Sequence, residues 1–252
     1  MSNGRISGKI ALITGGARGQ GRHEAERFAA EGATVYITDV LDHVGAATAD
    51  ELGDAVAFLH HDVTSEDDWA AVIAGIIEQH GRIEILVNNA GIFSMTAALD
   101  TSIEAWNQMV AINQTGVFLG IRDVGRVMCE QGSGSIINIS SIAGLAGVGR
   151  AHAYAATKWA VRGMSKSAAI EFAAHGVRVN SVHPGIIDTD MLREFGGNIE
   201  RITESIPMGR TASADEVANV VLFLASEEAS YCSGHEFVVD GGISSAYVTP
   251  LR

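Results

Sequence analysis

Tyr154 and Lys158 stand four residues apart at the start of a predicted helix, so both side chains project from one face. A free phenol, with a pKa of about 10, is a poor base at neutral pH, and lowering it to about 7 takes roughly 4 kcal/mol of preferential stabilisation of the phenolate. An ammonium about 4 Å away in a partly screened site supplies about that much. Ser141 precedes the tyrosine by thirteen residues and ends an apolar run, where it could donate a hydrogen bond to a substrate oxygen. The three together describe proton transfer to or from an alcohol or carbonyl. Taken alone, the pair also fits a half-buried ring beside a solvated amine on an amphipathic helix. The elements around it decide.

Those elements alternate between strand and helix. Lys9–Thr14 is a short apolar run of the kind expected for a buried parallel strand, and it leads into G-G-A-R-G-Q-G at Gly15–Gly21 and a helix through Gly32. Strand, glycine turn and helix N-terminus form a place for a pyrophosphate, with Gly15, Gly19 and Gly21 spaced G-x-x-x-G-x-G. Ala33–Thr38 is a second strand ending at Asp39, where an acid hydrogen-bonds the adenosine ribose hydroxyls and repels a 2′-phosphate. Arg18 in the glycine loop pulls the other way, since a guanidinium accepts a 2′-phosphate, but Val40 and Leu41 add no second cation. NAD is therefore expected rather than NADP.

The alternation continues with helix Val44–Leu52, strand Ala55–His61, helix Ser65–His80 capped by Ser65, and strand Ile83–Val87. Asp62 and the N-N-A-G of Asn88–Gly91 fall at carboxyl ends of strands, the edge where open parallel sheets bind ligands. One long helix is expected over Ser102–Gln131, carrying Asn113. A fifth strand, Ser135–Ser140, delivers Ser141, and Ala151–His175 is the helix of Tyr154 and Lys158. Val177–Val182 is a sixth strand, running into H-P-G and I-I-D-T. Residues 188–210 read as a flap over a pocket, Ser213–Ala225 as a capped helix and Glu236–Val239 as a last strand.

The chain has 252 residues, 47% hydrophobic and 19% charged, enough for one sizeable core. No linker, repeat or low-complexity tract divides it, so residues 1–252 are expected to form a single domain. A formal charge of −13 argues against nucleic-acid or anionic-membrane partners. Cys129 and Cys232 suggest neither a metal site nor a disulfide framework, and none of the runs reads as a signal peptide or a membrane span. The expectation is a cytoplasmic protein without a metal.

Thr14–Gly21, Asn88–Gly91, Asn113, Ser141, Tyr154–Lys158 and Pro184–Thr189, in this order and spacing, resemble the short-chain dehydrogenase/reductase family. The likeness runs from Ser7 to about Gly242 and is closest to bacterial NAD-dependent secondary-alcohol dehydrogenases, including those acting on 3α- or 20β-hydroxysteroids. It implies an α/β fold, a single-domain Rossmann-type doubly wound parallel sheet of about seven strands with helices on both faces.

The resemblance further implies that Tyr154 moves the hydroxyl proton, that Lys158 holds the nicotinamide ribose and, together with the positive charge of the oxidised ring, depresses the tyrosine pKa, and that Ser141, rather than Ser140, orients the substrate oxygen. Asn113 would hold a water that links the lysine to solvent. Gly15, Arg18, Gly19, Gln20, Gly21, Asp39, Asp62, Val63, Asn89, Ala90, Gly91, Pro184, Ile187 and Thr189 would join Tyr154 and Lys158 in holding NAD. Phe93, Ile142, Leu145, His152, Met191 and Phe195 are the substrate-pocket candidates besides Ser141, and their apolar character suits a hydrophobic cyclic, aromatic or steroid alcohol. His23, His60 and His61 fit no part of the pattern. The family usually assembles as homotetramers. Two other readings stay open: a 3-oxoacyl-carrier-protein reductase, and a non-catalytic dinucleotide-binding sensor or scaffold.

Overall fold

A computed structural model describes residues 4–194 and 203–245. Seven strands form one parallel sheet: β1 (Ile10–Thr14), β2 (Thr34–Asp39), β3 (Val56–His60), β4 (Ile85–Asn88), β5 (Gly134–Ile139), β6 (Val177–Pro184) and β7 (Glu236–Val239). Their order across the sheet is β3-β2-β1-β4-β5-β6-β7. The chain winds outward from β1 to β3, then returns and winds the other way from β4. The reversal opens a crevice at the carboxyl ends of β1 and β4.

Successive side chains of a strand face opposite ways, and both faces are apolar. Ala11, Ile13, Val35 and Ile37 pack on one side with Phe28 of α1 (Gly19–Ala30), Ala49 of α2 (Asp42–Leu52) and the last long helix. Leu12, Tyr36 and Leu86 pack on the other with Trp69 of α3 (Glu66–His80), Val124 of α5 (Gly116–Gln131) and Val161 of α6 (His152–Phe172). Between β4 and α5 lies α4 (Ile103–Val110); among the described residues α7 (Asp190–Glu194) and α8 (Ala214–Ala225) follow, α8 lying on the α1 side. The start signals read in the sequence act as caps. Ser65 and Ser102 accept backbone N–H bonds, and Ser213 forms a reciprocal capping box with Glu216. Among the described residues, no helix is long and apolar enough to cross a membrane.

The expected single helix over Ser102–Gln131 is corrected by the structure. Ala111–Thr115 is a π turn between α4 and α5, and Asn113 sits within it, fully buried. Its side-chain oxygen accepts from the Ile92 N–H at 2.8 Å and its amide donates to the Ile92 carbonyl at 2.8 Å. This pairing with the loop after β4 gives the widened turn a physical cause, since single π turns accommodate such insertions and cluster at functional sites. A buried polar ladder ties α6 to the sheet: Asn88 Nδ2 donates to Asn138 Oδ1, and Asn138 Nδ2 to Ser165 Oγ.

Candidate active site

The helix α6 brings Tyr154 and Lys158 against the carboxyl end of β5, as the four-residue spacing predicts. The Ser141 side chain lies beside the Tyr154 hydroxyl, near enough to favour the phenolate. Ser141 lies in extended backbone just after β5 and caps the short 3₁₀ turn Ile142–Gly144, its Oγ accepting from Ala143 N–H at 3.1 Å. Ser140 plays a different part: its hydroxyl is buried and donates to the Lys158 carbonyl at 2.9 Å. Lys158 is almost wholly buried, with Nζ donating to the Ile139 carbonyl at 2.9 Å and lying 5.5 Å from the centre of the Tyr154 ring.

Burial keeps the Lys158 amine down at about 8. Burial also acts on Tyr154, where it pushes the phenol above its ordinary value against the opposing effect of Ser141. The lysine bonds to a backbone carbonyl, and desolvation of the phenolate is the larger effect. Both polar groups of the Asn113 side chain are engaged by Ile92, which ties the helix to the loop after β4.

Next to this cluster, the glycine loop meets N-N-A-G. Asn89 Nδ2 donates to the Thr14 and Gly15 carbonyls, both at 3.0 Å, and the Thr14 hydroxyl accepts from Asn89 and Ala90 N–H at 3.1 Å. A Cβ on Gly21 would run into the Gly15 carbonyl oxygen and the Asn89 amide, and one on Gly15 (φ 66°) would strike Ala90 Cα. Only glycine lets the loop fold this tightly onto the start of α1. At its far side the loop meets Asp39, whose carboxylate accepts from Ala17 N–H at 3.3 Å and from Leu41 N–H at 3.2 Å. Backbone donors at a helix N-terminus beside an acid at the end of β2 fit a dinucleotide: the first suits its pyrophosphate and the second a ribose diol.

The remaining expected residues are distributed around the same sheet edge. The Asp62 carboxylate closes its own turn on Thr64 N–H and hydroxyl, and Val63 is buried beneath Gly116. Gly91 backs onto Asn113 and Lys158. Pro184 ends β6, Ile187 is buried and bridges to Ala212, and the Thr189 carbonyl accepts from Leu192 N–H. That bridge joins the two ends of the expected flap. Phe93 meets the Tyr154 ring edge-to-face at 4.9 Å, and His152 stacks on Trp106. Ile142 and Leu145 belong to the turn after Ser141, Met191 is exposed on α7, and Phe195 lies outside the described residues. Gln20 Nε2 is buried without a hydrogen-bond partner. A cavity of about 430 Å³ opens near the opposite, amino edge of the sheet among Lys9, Glu84, Arg178 and Glu227, and none of the site residues lines it.

A family model described as enoyl-(acyl carrier protein) reductase matches residues 15–244. A 3-alpha-(or 20-beta)-hydroxysteroid dehydrogenase of Mycobacterium tuberculosis is 48% identical over 240 residues, covering 95% of this chain and 91% of that one. The chain belongs to the short-chain dehydrogenase/reductase family. A trans-4-hydroxycyclohexanecarboxylate dehydrogenase of Sinomonas cyclohexanicum is 41% identical, with 94% and 93% of the two chains covered. The crystal structure of a putative gluconate dehydrogenase from Agrobacterium tumefaciens superposes with a TM-score of 0.92 at 29% identity, covering 96% of this chain and 98% of that one. This short-chain dehydrogenase/reductase is an alcohol dehydrogenase, an oxidoreductase that uses a nicotinamide dinucleotide.

One buried residue beside the site is absent from the expected set. His183, on β6 within the H-P-G sequence, is fully buried, with Nδ1 3.0 Å from the Ser141 carbonyl and Nε2 2.9 Å from Ser181 Oγ.

Proposed function

We propose that this enzyme interconverts a hydrophobic cyclic secondary alcohol and its ketone with NAD(H). The observation that carries this reading is the buried Lys158 amine 5.5 Å from the centre of the Tyr154 ring on the same helix, with Ser141 beside the phenol. In reduction, the Tyr154 O–H donates its proton to the carbonyl oxygen while Ser141 Oγ–H holds the same oxygen. In oxidation the proton returns. The bound dinucleotide supplies or accepts the hydride. Lys158, buried and charged at neutral pH, provides the positive field that a phenolate in this desolvated place requires. Asn113 keeps the loop after β4 in place beside the lysine.

Gly15, Arg18, Gly19, Gln20 and Gly21 would hold the pyrophosphate end, Asp39, Asp62 and Val63 the adenosine, and Asn89–Gly91, Pro184, Ile187 and Thr189 the nicotinamide end. Substrate would lie among Phe93, Ile142, Leu145, His152 and Met191. Hydroxysteroids and 4-hydroxycyclohexanecarboxylate, named for two relatives, are both ring alcohols, which supports a cyclic substrate. We read the whole chain as one catalytic domain that works in the cytoplasm as a homotetramer. A panel of cyclohexanone, an aryl methyl ketone, 3- and 20-ketosteroids and an acetoacetyl thioester, followed by NADH and NADPH absorbance, tests the substrate class. Turnover of the thioester alone would favour the acyl-carrier reductase instead.

Asp39 gives a separate expected result. A 2′-phosphate about 4 Å from its carboxylate is repelled by about 4 kcal/mol per pair of unit charges at an effective dielectric of about 20. After screening, kcat/KM should favour NADH over NADPH by about a hundredfold, and Asp39→Ser should reduce that ratio at least tenfold. Equal kcat/KM for the two cofactors in the wild type would remove the role given to Asp39.

A further inference from the structure

The hydrogen-bond ladder between β5 and β6 ends at Ile139 opposite Val182, followed by one bond from Ser140 N–H to the Val182 carbonyl at 2.7 Å. Ser141 therefore lies past the last rung, on chain that is turning away from the sheet. β6 continues to Pro184, and the ring of His183 reaches across where the ladder stops. A carbonyl oxygen only accepts, so Nδ1 carries a hydrogen and donates to Ser141. The neutral ring then accepts at Nε2 from the Ser181 hydroxyl, and both nitrogens are satisfied in a fully buried place. Burial, the largest influence, holds the imidazole below its ordinary value, so this neutral form prevails at neutral pH.

We propose that His183 is a positioning residue, which fixes the Ser141 peptide and thereby the place of the Ser141 hydroxyl beside Tyr154. The inference rests on the proton-transfer reading of Ser141 and Tyr154. The Ser141 carbonyl has one other donor, the Gly144 N–H at 2.8 Å, which belongs to the same short turn and moves with it. His183 is the tie from that turn to the rigid sheet. A misplacement of the serine by even about 1 Å is enough to lower turnover strongly.

The test compares His183→Leu, His183→Asn and Tyr154→Phe in NADH-driven reduction of cyclohexanone and a 3-ketosteroid, with NADH affinity measured by fluorescence. Leucine fills the space without a donor, whereas the asparagine amide places an N–H where Nδ1–H stood. His183→Leu is expected to lose at least tenfold in kcat with NADH affinity unchanged within twofold, and His183→Asn to recover kcat to within threefold of wild type. A leucine variant that loses less than fivefold, or an asparagine variant no better than leucine, overturns the inference. Should the leucine variant fail to fold, asparagine decides alone: a loss beyond tenfold sinks the idea. Turnover that survives in Tyr154→Phe overturns the underlying reading of the site. Turnover lost there but kept in His183→Leu overturns only the role of His183.

Discussion

Tyr154→Phe is expected to lower kcat about a thousandfold while leaving NADH affinity within twofold of wild type. A positioned general acid or base contributes about 10² to 10⁴ in rate. The substitution deletes the hydroxyl and little else. The ring keeps its edge-to-face contact with Phe93, and Lys158 keeps its bond to the Ile139 carbonyl, because neither involves the phenol oxygen. Steady-state kcat for ketone reduction, paired with dinucleotide binding by fluorescence, separates the two effects. A variant that retains more than a tenth of wild-type turnover would show that another group moves the proton. Burial holds the resting phenol above its ordinary value, so the charge of Lys158 has to act against desolvation. At 5.5 Å from the ring centre, an ammonium supplies roughly 3 kcal/mol at an effective dielectric of about 20. Wild-type alcohol oxidation should therefore rise with pH, and the residual rate of Tyr154→Phe should not follow that rise.

The sheet was legible because its strands are short apolar runs closed by glycine turns, and period and turn chemistry are local properties. Tyr154, Lys158 and Ser141 were legible for a related reason: helix spacing and strand ends place them without knowledge of the core. The π turn at Ala111–Thr115 was not, since its composition is ordinary for a helix and its cause is a long-range pairing of Asn113 with Ile92. His183 was overlooked because a histidine on a strand looks the same in sequence whether it meets solvent or a carbonyl. Spacing fixes which charge stands near the phenol, whereas desolvation depends on everything packed around it.

Glu24 shows the same limit most sharply and yields the largest expected effect on stability. Within the charged run R-H-E-A-E-R, Glu24 is fully buried on α1 and neither carboxylate oxygen has a hydrogen-bond partner. The basic side chains nearest to it in sequence are engaged elsewhere: Arg22 reaches Glu51 of α2, while His23 and Arg27 reach Asp215 of α8. Burial raises the Glu24 pKa to about 8, so the folded chain holds this acid protonated at neutral pH. The unfolded chain releases the proton near 4.5, the ordinary value. Between these pH values the folded state binds more protons, and stability must fall as pH rises. The full difference corresponds to about 5 kcal/mol, present below pH 4.5 and lost by pH 8. Glu24→Gln keeps the shape and removes the titration. At pH 9 the variant should be more stable than wild type by about 2 to 5 kcal/mol, and near pH 5 the two should converge. Urea denaturation at fixed protein concentration from pH 5 to 9 measures this directly. Every other titrating group is shared, so it cancels in the difference between the two chains. Parallel profiles for wild type and variant would mean that Glu24 is ionised within the fold, and that a cation or solvent reaches it after all.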